Sequence, residues 1–190
     1  MIKKISILII SAIILSACSS TSKTNTSKKN KKTPTRVSKT SNKKGNVNQD
    51  ADYIGLILKS EENSSGKARD VLRETRKMAL FERATVKGGC WDYLDAAWTR
   101  AGVPRQQRQV VFKSQKSGPY ATSNQLKAGD WLYYINYSYN NIEHSGMFIG
   151  WVDESKKLGV TLSYAGSARK EPARYRVYDL SGVYYIMRAQ

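Results

Sequence analysis

Between Ser19 and Asp50 the chain holds only two apolar side chains, Val37 and Val47, in a run of Ser, Thr, Lys and Asn. Such a stretch buries too little surface to offset the entropy lost on ordering, so it is expected to stay an extended tether. A flexible chain of this length spans roughly 30 Å root-mean-square. Any fold must therefore be built from Ala51 to Gln190, a length suited to one domain. The same division reassigns the charge. The whole sequence has 32 Lys and Arg against 15 Asp and Glu, a formal +17 that suggests a nucleic-acid surface. The tether takes nine of the basic residues and one acidic residue, and Lys3 and Lys4 precede it, which leaves 21 basic and 14 acidic residues after Asp50. Most of the excess lies outside the foldable part, no nucleic-acid-binding pattern is present, and no nucleic-acid partner is expected.

Ahead of the tether, residues 1–17 have a basic start at Lys3 and Lys4 and an apolar run from Ile5 to Leu15. This is the layout of a bacterial export signal, too short for a spanning helix of about 20 residues. Leu15-Ser16-Ala17-Cys18 resembles the lipobox of bacterial lipoproteins, which implies cleavage before Cys18 and lipid on its sulfur. The expected organisation is a signal peptide over 1–17, lipidated Cys18 with its tether over 18–50, and one domain over 51–190. The expected location is the cell envelope, anchored to a membrane through Cys18. That is the outer membrane in a Gram-negative host, since Ser19 rather than Asp follows the cysteine.

Within the domain, Asp52–Ser60 and Lys67–Phe81 read as helices, the second amphipathic. Leu94, Ala97, Trp98 and Ala101 continue a third helical face that opens at Cys90 behind Gly88 and Gly89 and stops at Gly102 and Pro104. From Trp131 the period changes to short aromatic and β-branched runs over 131–137, 145–152, 159–164, 175–180 and 183–187, separated by turn formers. Helices first and strands second predict an α+β fold, with the N-terminal helices on one face of an antiparallel sheet.

Past the tether there is one cysteine, Cys90, and one histidine, His144. A cysteine hydrolase needs both, the thiolate as nucleophile and the imidazole as base and then acid. A helix start suits the thiol, because its free N–H groups and positive dipole end favour a thiolate and a developing oxyanion. The plain alternatives are a buried apolar cysteine and an incidental histidine. No metal site, cofactor motif or nucleotide fingerprint is visible.

Four segments occur in order: Gly89-Cys90-Trp91-Asp92-Tyr93-Leu94, Ala101-Gly102-Val103-Pro104-Arg105, Leu126-Lys127-Ala128-Gly129-Asp130-Trp131 and His144-Ser145-Gly146-Met147-Phe148-Ile149-Gly150. The succession resembles the NlpC-type papain-like cell-wall cysteine peptidases. The resemblance spans Lys87 to Ser167. It implies a papain-like core with a five- or six-stranded antiparallel sheet, and hydrolysis of amide bonds in peptidoglycan stem peptides, with Cys90 as nucleophile and His144 as base. Peptidoglycan and, through Cys18, a membrane are the implied partners, with no cofactor and a monomer by default.

The sequence departs from that family at several points. Gly89 and Trp91 flank the cysteine where the family has Asp and Ser, Ala128 stands for a proline, and Phe81 occupies the segment of a family tyrosine. The third catalytic position, often a second histidine, falls at Ser163 or else Tyr164. A hydroxyl there, or a backbone carbonyl, would accept the Nδ1–H of His144. The same departures motivate a second reading, a non-catalytic peptidoglycan-binding or structural lipoprotein on the same fold. Tyr133, Tyr134, Tyr137 and Tyr139 with Trp131 are either a sugar-binding surface or sheet packing, and Arg105 and Arg108 either substrate contacts or solvated charges.

Overall fold

The computed structural model describes residues 50–190. The export signal, Cys18 and the tether lie outside the described residues.

The domain is α+β, with three helices ahead of a six-stranded antiparallel sheet. The helices are α1 (Ile54–Asn63), α2 (Gly66–Arg76, continued by a π-helical turn over Lys77–Phe81) and α3 (Cys90–Arg100). The strands are β1 (Arg108–Lys113), β2 (Trp131–Asn136), β3 (Ile142–Asp153), β4 (Leu158–Ser163), β5 (Arg174–Asp179) and β6 (Val183–Ala189), in the order β1-β6-β2-β3-β4-β5. The run from β2 to β5 is a meander of neighbouring pairs, and β6 returns to β2 and carries β1 at its outer edge.

Alternation along the strands divides the apolar residues between two layers. One face holds Trp131, Met147, Ile149 and Leu162 against Leu72 and Trp98 of the helices. The other holds Leu132, Tyr134, Phe148 and Ile186, closed by Ala121 and Leu126 of the connection between β1 and β2. Helix α3 ends as its sequence requires. Gly102 sits at φ 74°, and Val103 N–H reaches back to Trp98 O at 2.8 Å, a Schellman closure that drops Val103 into the core.

Strand β1 is absent from the sequence reading for a physical reason. It is an edge strand paired only to β6, with a bulge between Val110 and Phe112 and Val110 itself 46% exposed, so no period-two burial pattern marks it. Arg108 opens this strand, and its side chain is only 4% exposed. It donates to Asp95 Oδ1 at 2.6 Å and to Val103 O at 3.2 Å, and lies over the rings of Trp98 and Trp131. Arg108 is therefore neither a solvated charge nor a free substrate contact. It ties α3 to the sheet.

Leu126 to Trp131 forms a turn built on one buried ion pair. Asp130 is 1% exposed, accepts from Lys127 N–H at 2.7 Å, and receives Nε and a terminal nitrogen of Arg188 on its two oxygens, each at 2.8 Å. Burial pushes the Asp130 carboxyl up and the Arg188 fork opposes it. The pair locks the turn before β2 to β6. Removing one partner leaves a buried charge alone, so Arg188→Ala is expected to lower unfolding free energy by about 3 kcal/mol in a denaturant titration. Loss of under 1 kcal/mol would contradict that role.

Candidate functional site

Cys90 is the first residue of α3, and the turn before it is shaped for that place. Gly89 N–H donates to Asp92 Oδ2 at 2.7 Å, so a side chain two residues past the cysteine closes the helix start. Gly88 sits at φ 109°, and a Cβ there would lie 2.1 Å from Asp92 Oδ2, so only glycine fits. The loop is held from outside as well. Ser167 N–H donates to Gly88 O at 2.8 Å, Gly88 N–H donates to Ser167 Oγ at 3.2 Å, and Tyr164 Oη both accepts from Val86 N–H and donates to Val86 O. The segment after β4 thus fixes the approach to the cysteine.

His144 lies on β3, opposite Tyr134 of β2. The sequence reading places it at the start of a strand after a polar loop. The ladder in fact extends two pairs further out, to Asn136 opposite Ile142, so His144 stands inside a rigid hairpin. Its Nε2 hydrogen-bonds Ser163 Oγ at 2.7 Å. Gly146 opposite Ser163 in the β3–β4 register makes that contact possible.

Of the two candidates, Ser163 is the side chain that meets His144, and His144 in turn acts on the Cys90 thiol. Tyr164 points instead to Val86 and packs its ring on Tyr93 at 4.7 Å. One detail of the expectation is corrected. Ser163 holds Nε2 rather than Nδ1, which leaves Nδ1 as the nitrogen free to take the thiol proton.

The thiol is bound on one side by two consecutive residues of β3. Burial raises its pKa, but hydrogen bonding to the His144 imidazole and to the Ser145 hydroxyl and backbone N–H outweighs this, and Cys90 is lowered to about 7. Ser145 is 3% exposed and its Oγ has no partner within hydrogen-bond distance. Ser145 has no signal in the sequence beyond its place next to the histidine.

Aromatic residues border the thiol. Trp91 lies 5.7 Å from Trp131 between ring centroids and carries the Arg105 guanidinium over its ring at 4.7 Å. Arg105 also pairs with Asp95 while its side chain stays 65% exposed. Trp131 and Tyr134 are fully buried and serve as core. Tyr133 is half-buried, its hydroxyl pushed up to about 12 by burial, while Tyr137 and Tyr139 are exposed near the β2–β3 turn. Phe81 is 71% exposed under Arg76 and supplies nothing to the site. Among the described residues no three His, Cys, Asp or Glu side chains converge as a metal site would need.

Comparison of the chain with protein-family models, with curated proteins and with solved structures finds no match.

With the thiol at about 7, alkylation of Cys90 by iodoacetamide should rise with pH to half its maximum near that value. Peptide mass spectrometry reads Cys90 separately from Cys18. Ser145→Ala should move the midpoint upward by about half to one pH unit, because one hydrogen bond to the thiolate is lost. A wild-type midpoint at the ordinary thiol value of about 8.5 would contradict the arrangement.

Proposed function

We propose that the protein is a lipid-anchored cysteine hydrolase of the cell envelope that cleaves amide bonds in peptidoglycan stem peptides, on a papain-like core of the NlpC type. The observation that carries this reading is the Cys90 thiol, depressed to about 7 at a helix start beside the chain's single imidazole. The substrate class rests on the sequence, on the order of the four motifs and on the export signal and lipobox ahead of the tether.

His144 Nδ1 takes the proton from Sγ of Cys90, and the thiolate attacks the carbonyl carbon of the scissile amide. The oxyanion of the tetrahedral intermediate develops beside the α3 N-terminus, where the Cys90 N–H has no intrahelical acceptor. Protonated His144 gives its proton to the leaving amine, and an acyl thioester stays on Cys90. Water, losing a proton to His144, then attacks the thioester carbon and releases the carboxylic acid and the thiol. Ser163 holds the ring at Nε2 through each proton transfer.

A second reading, a peptidoglycan-binding lipoprotein without turnover, is favoured by one observation, the neutral hydroxyl at the third position where a stronger acceptor would stabilise imidazolium more. Incubation with purified muropeptides separates the two. New amine termini in the mass spectrum are expected for wild type, with Cys90→Ala and His144→Ala reducing the rate by at least about 1,000-fold. Binding to sacculi with no cleavage, or equal cleavage by Cys90→Ala, would overturn the hydrolase reading.

A further inference from the structure

Ser163 Oγ has a second partner, supplied by the next strand. In the β4–β5 ladder Tyr178 stands opposite Gly159, four residues along β4 from Ser163. Its ring leans along the sheet, 5.6 Å from Tyr134 and 6.0 Å from His144 between centroids, and its hydroxyl donates to Ser163 Oγ at 3.0 Å. Tyr178, Ser163 and His144 thus form one hydrogen-bonded series drawn from β5, β4 and β3, and its imidazole end lowers the Cys90 thiol of α3.

We propose that Tyr178 is a positioning residue of the site, acting through Ser163 to set which ring nitrogen of His144 carries the proton. The proposal rests on the hydrolase reading only in taking Cys90 and His144 as the working pair. For Nδ1 to accept the thiol proton, Nε2 must already hold one and donate it to Ser163 Oγ. A serine without another partner rotates and donates to Nε2 equally well, which places the ring proton on Nδ1 and blocks the base. Tyr178 supplies a second place for the Ser163 proton. The Tyr178–Ser163 bond can run in either direction. With Nε2–H donated to Ser163 Oγ, the Ser163 proton turns to Tyr178 Oη and the Tyr178 proton turns outward, so Nδ1 stays open until Sγ gives it a proton. No O–H or Nε2–H bond breaks, and the only proton transferred is the one from sulfur to Nδ1. A carboxylate acts as a fixed acceptor. Two hydroxyls in series act as an acceptor that reverses.

The surroundings of His144 leave this series in control of its ring. It is faced by Cys90 from α3, Tyr134 from β2, Ser163 from β4 and Tyr178 from β5. Glu143, its neighbour on β3, is engaged by Tyr184 and Lys116. On β5, Arg174 stands opposite Ser163 in register and pairs with Glu171 at 3.1 Å, and Arg176 stands opposite Thr161.

The test compares wild type with Tyr178→Phe, Ser163→Ala and the double variant. It follows Cys90 alkylation by iodoacetamide across pH 5–10 and, separately, muropeptide cleavage. Tyr178→Phe keeps the ring packing, and thermal melting checks that the fold persists. Loss of the hydroxyl should lower alkylation at pH 7 by about threefold to tenfold and move its midpoint upward, the effect of one hydrogen bond to a charged pair. The double variant should fall no lower than Ser163→Ala, because the two hydroxyls act in series. A Tyr178→Phe profile that overlays wild type, or losses that multiply in the double variant, would overturn the proposal. Shifted alkylation without muropeptide cleavage by any form would leave Tyr178 in its role and remove the hydrolase reading instead.

Discussion

The antiparallel register of β3 on β4, with Gly146 opposite Ser163, governs everything the candidate site can do. It sets the Ser163 hydroxyl against Nε2 of His144, and it depends on the bare backbone at Gly146. A Cβ there would meet Leu162 O at 3.0 Å and Thr161 Oγ1 at 3.2 Å, so a larger residue would press the two strands apart where the imidazole is held. A slip of one residue would turn His144 and Ser163 to opposite faces. The chain that leaves β4 then closes the arrangement, as Tyr164 and Ser167 grip the Val86–Gly89 loop and so place the first turn of α3 over the same end of the sheet. One register thus positions His144, Ser163 and the start of α3 together.

The electrostatics of the site are a contest between burial and hydrogen bonding. Burial alone would raise the thiol, and the contacts from His144 and Ser145 reverse that, leaving Cys90 at about 7. No carboxylate joins the series that runs from Cys90 through His144 and Ser163 to Tyr178. The charges of the domain are committed elsewhere, Asp130 to Arg188 beneath the β2 turn and Asp95 to Arg105 and Arg108 beside α3. Hydroxyls rather than carboxylates thus flank the imidazole at Ser163 and beyond it at Tyr178.

Much of this was legible in the sequence because local signals agreed with the tertiary result. Gly88 and Gly89 ahead of Cys90, and Gly102 at the end of the same helix, mark the two termini of α3 through backbone needs that no other residue meets as well. The aromatic, turn-punctuated runs after Trp131 gave five of the six strands. The sixth, β1, escaped because an edge strand with a bulge has no alternating burial to read. Ser163 was reachable through its motif neighbour His144, with Tyr164 still competing. Ser145 and Tyr178 were not reachable, since a serine beside a histidine and a tyrosine in a β-rich run are ordinary residues until a register places their hydroxyls. Arg108 misled for the opposite reason, because its charge is spent inside the fold on Asp95 and on the Trp98 and Trp131 rings.

The central claim is that the His144 imidazole lowers the Cys90 thiol. Alkylation of Cys90 by iodoacetamide, followed against pH by peptide mass spectrometry, tests it when wild type is compared with His144→Ala. The account predicts a wild-type midpoint near 7 that moves upward in His144→Ala. Superimposable profiles would show that thiol and imidazole do not interact, and would contradict it.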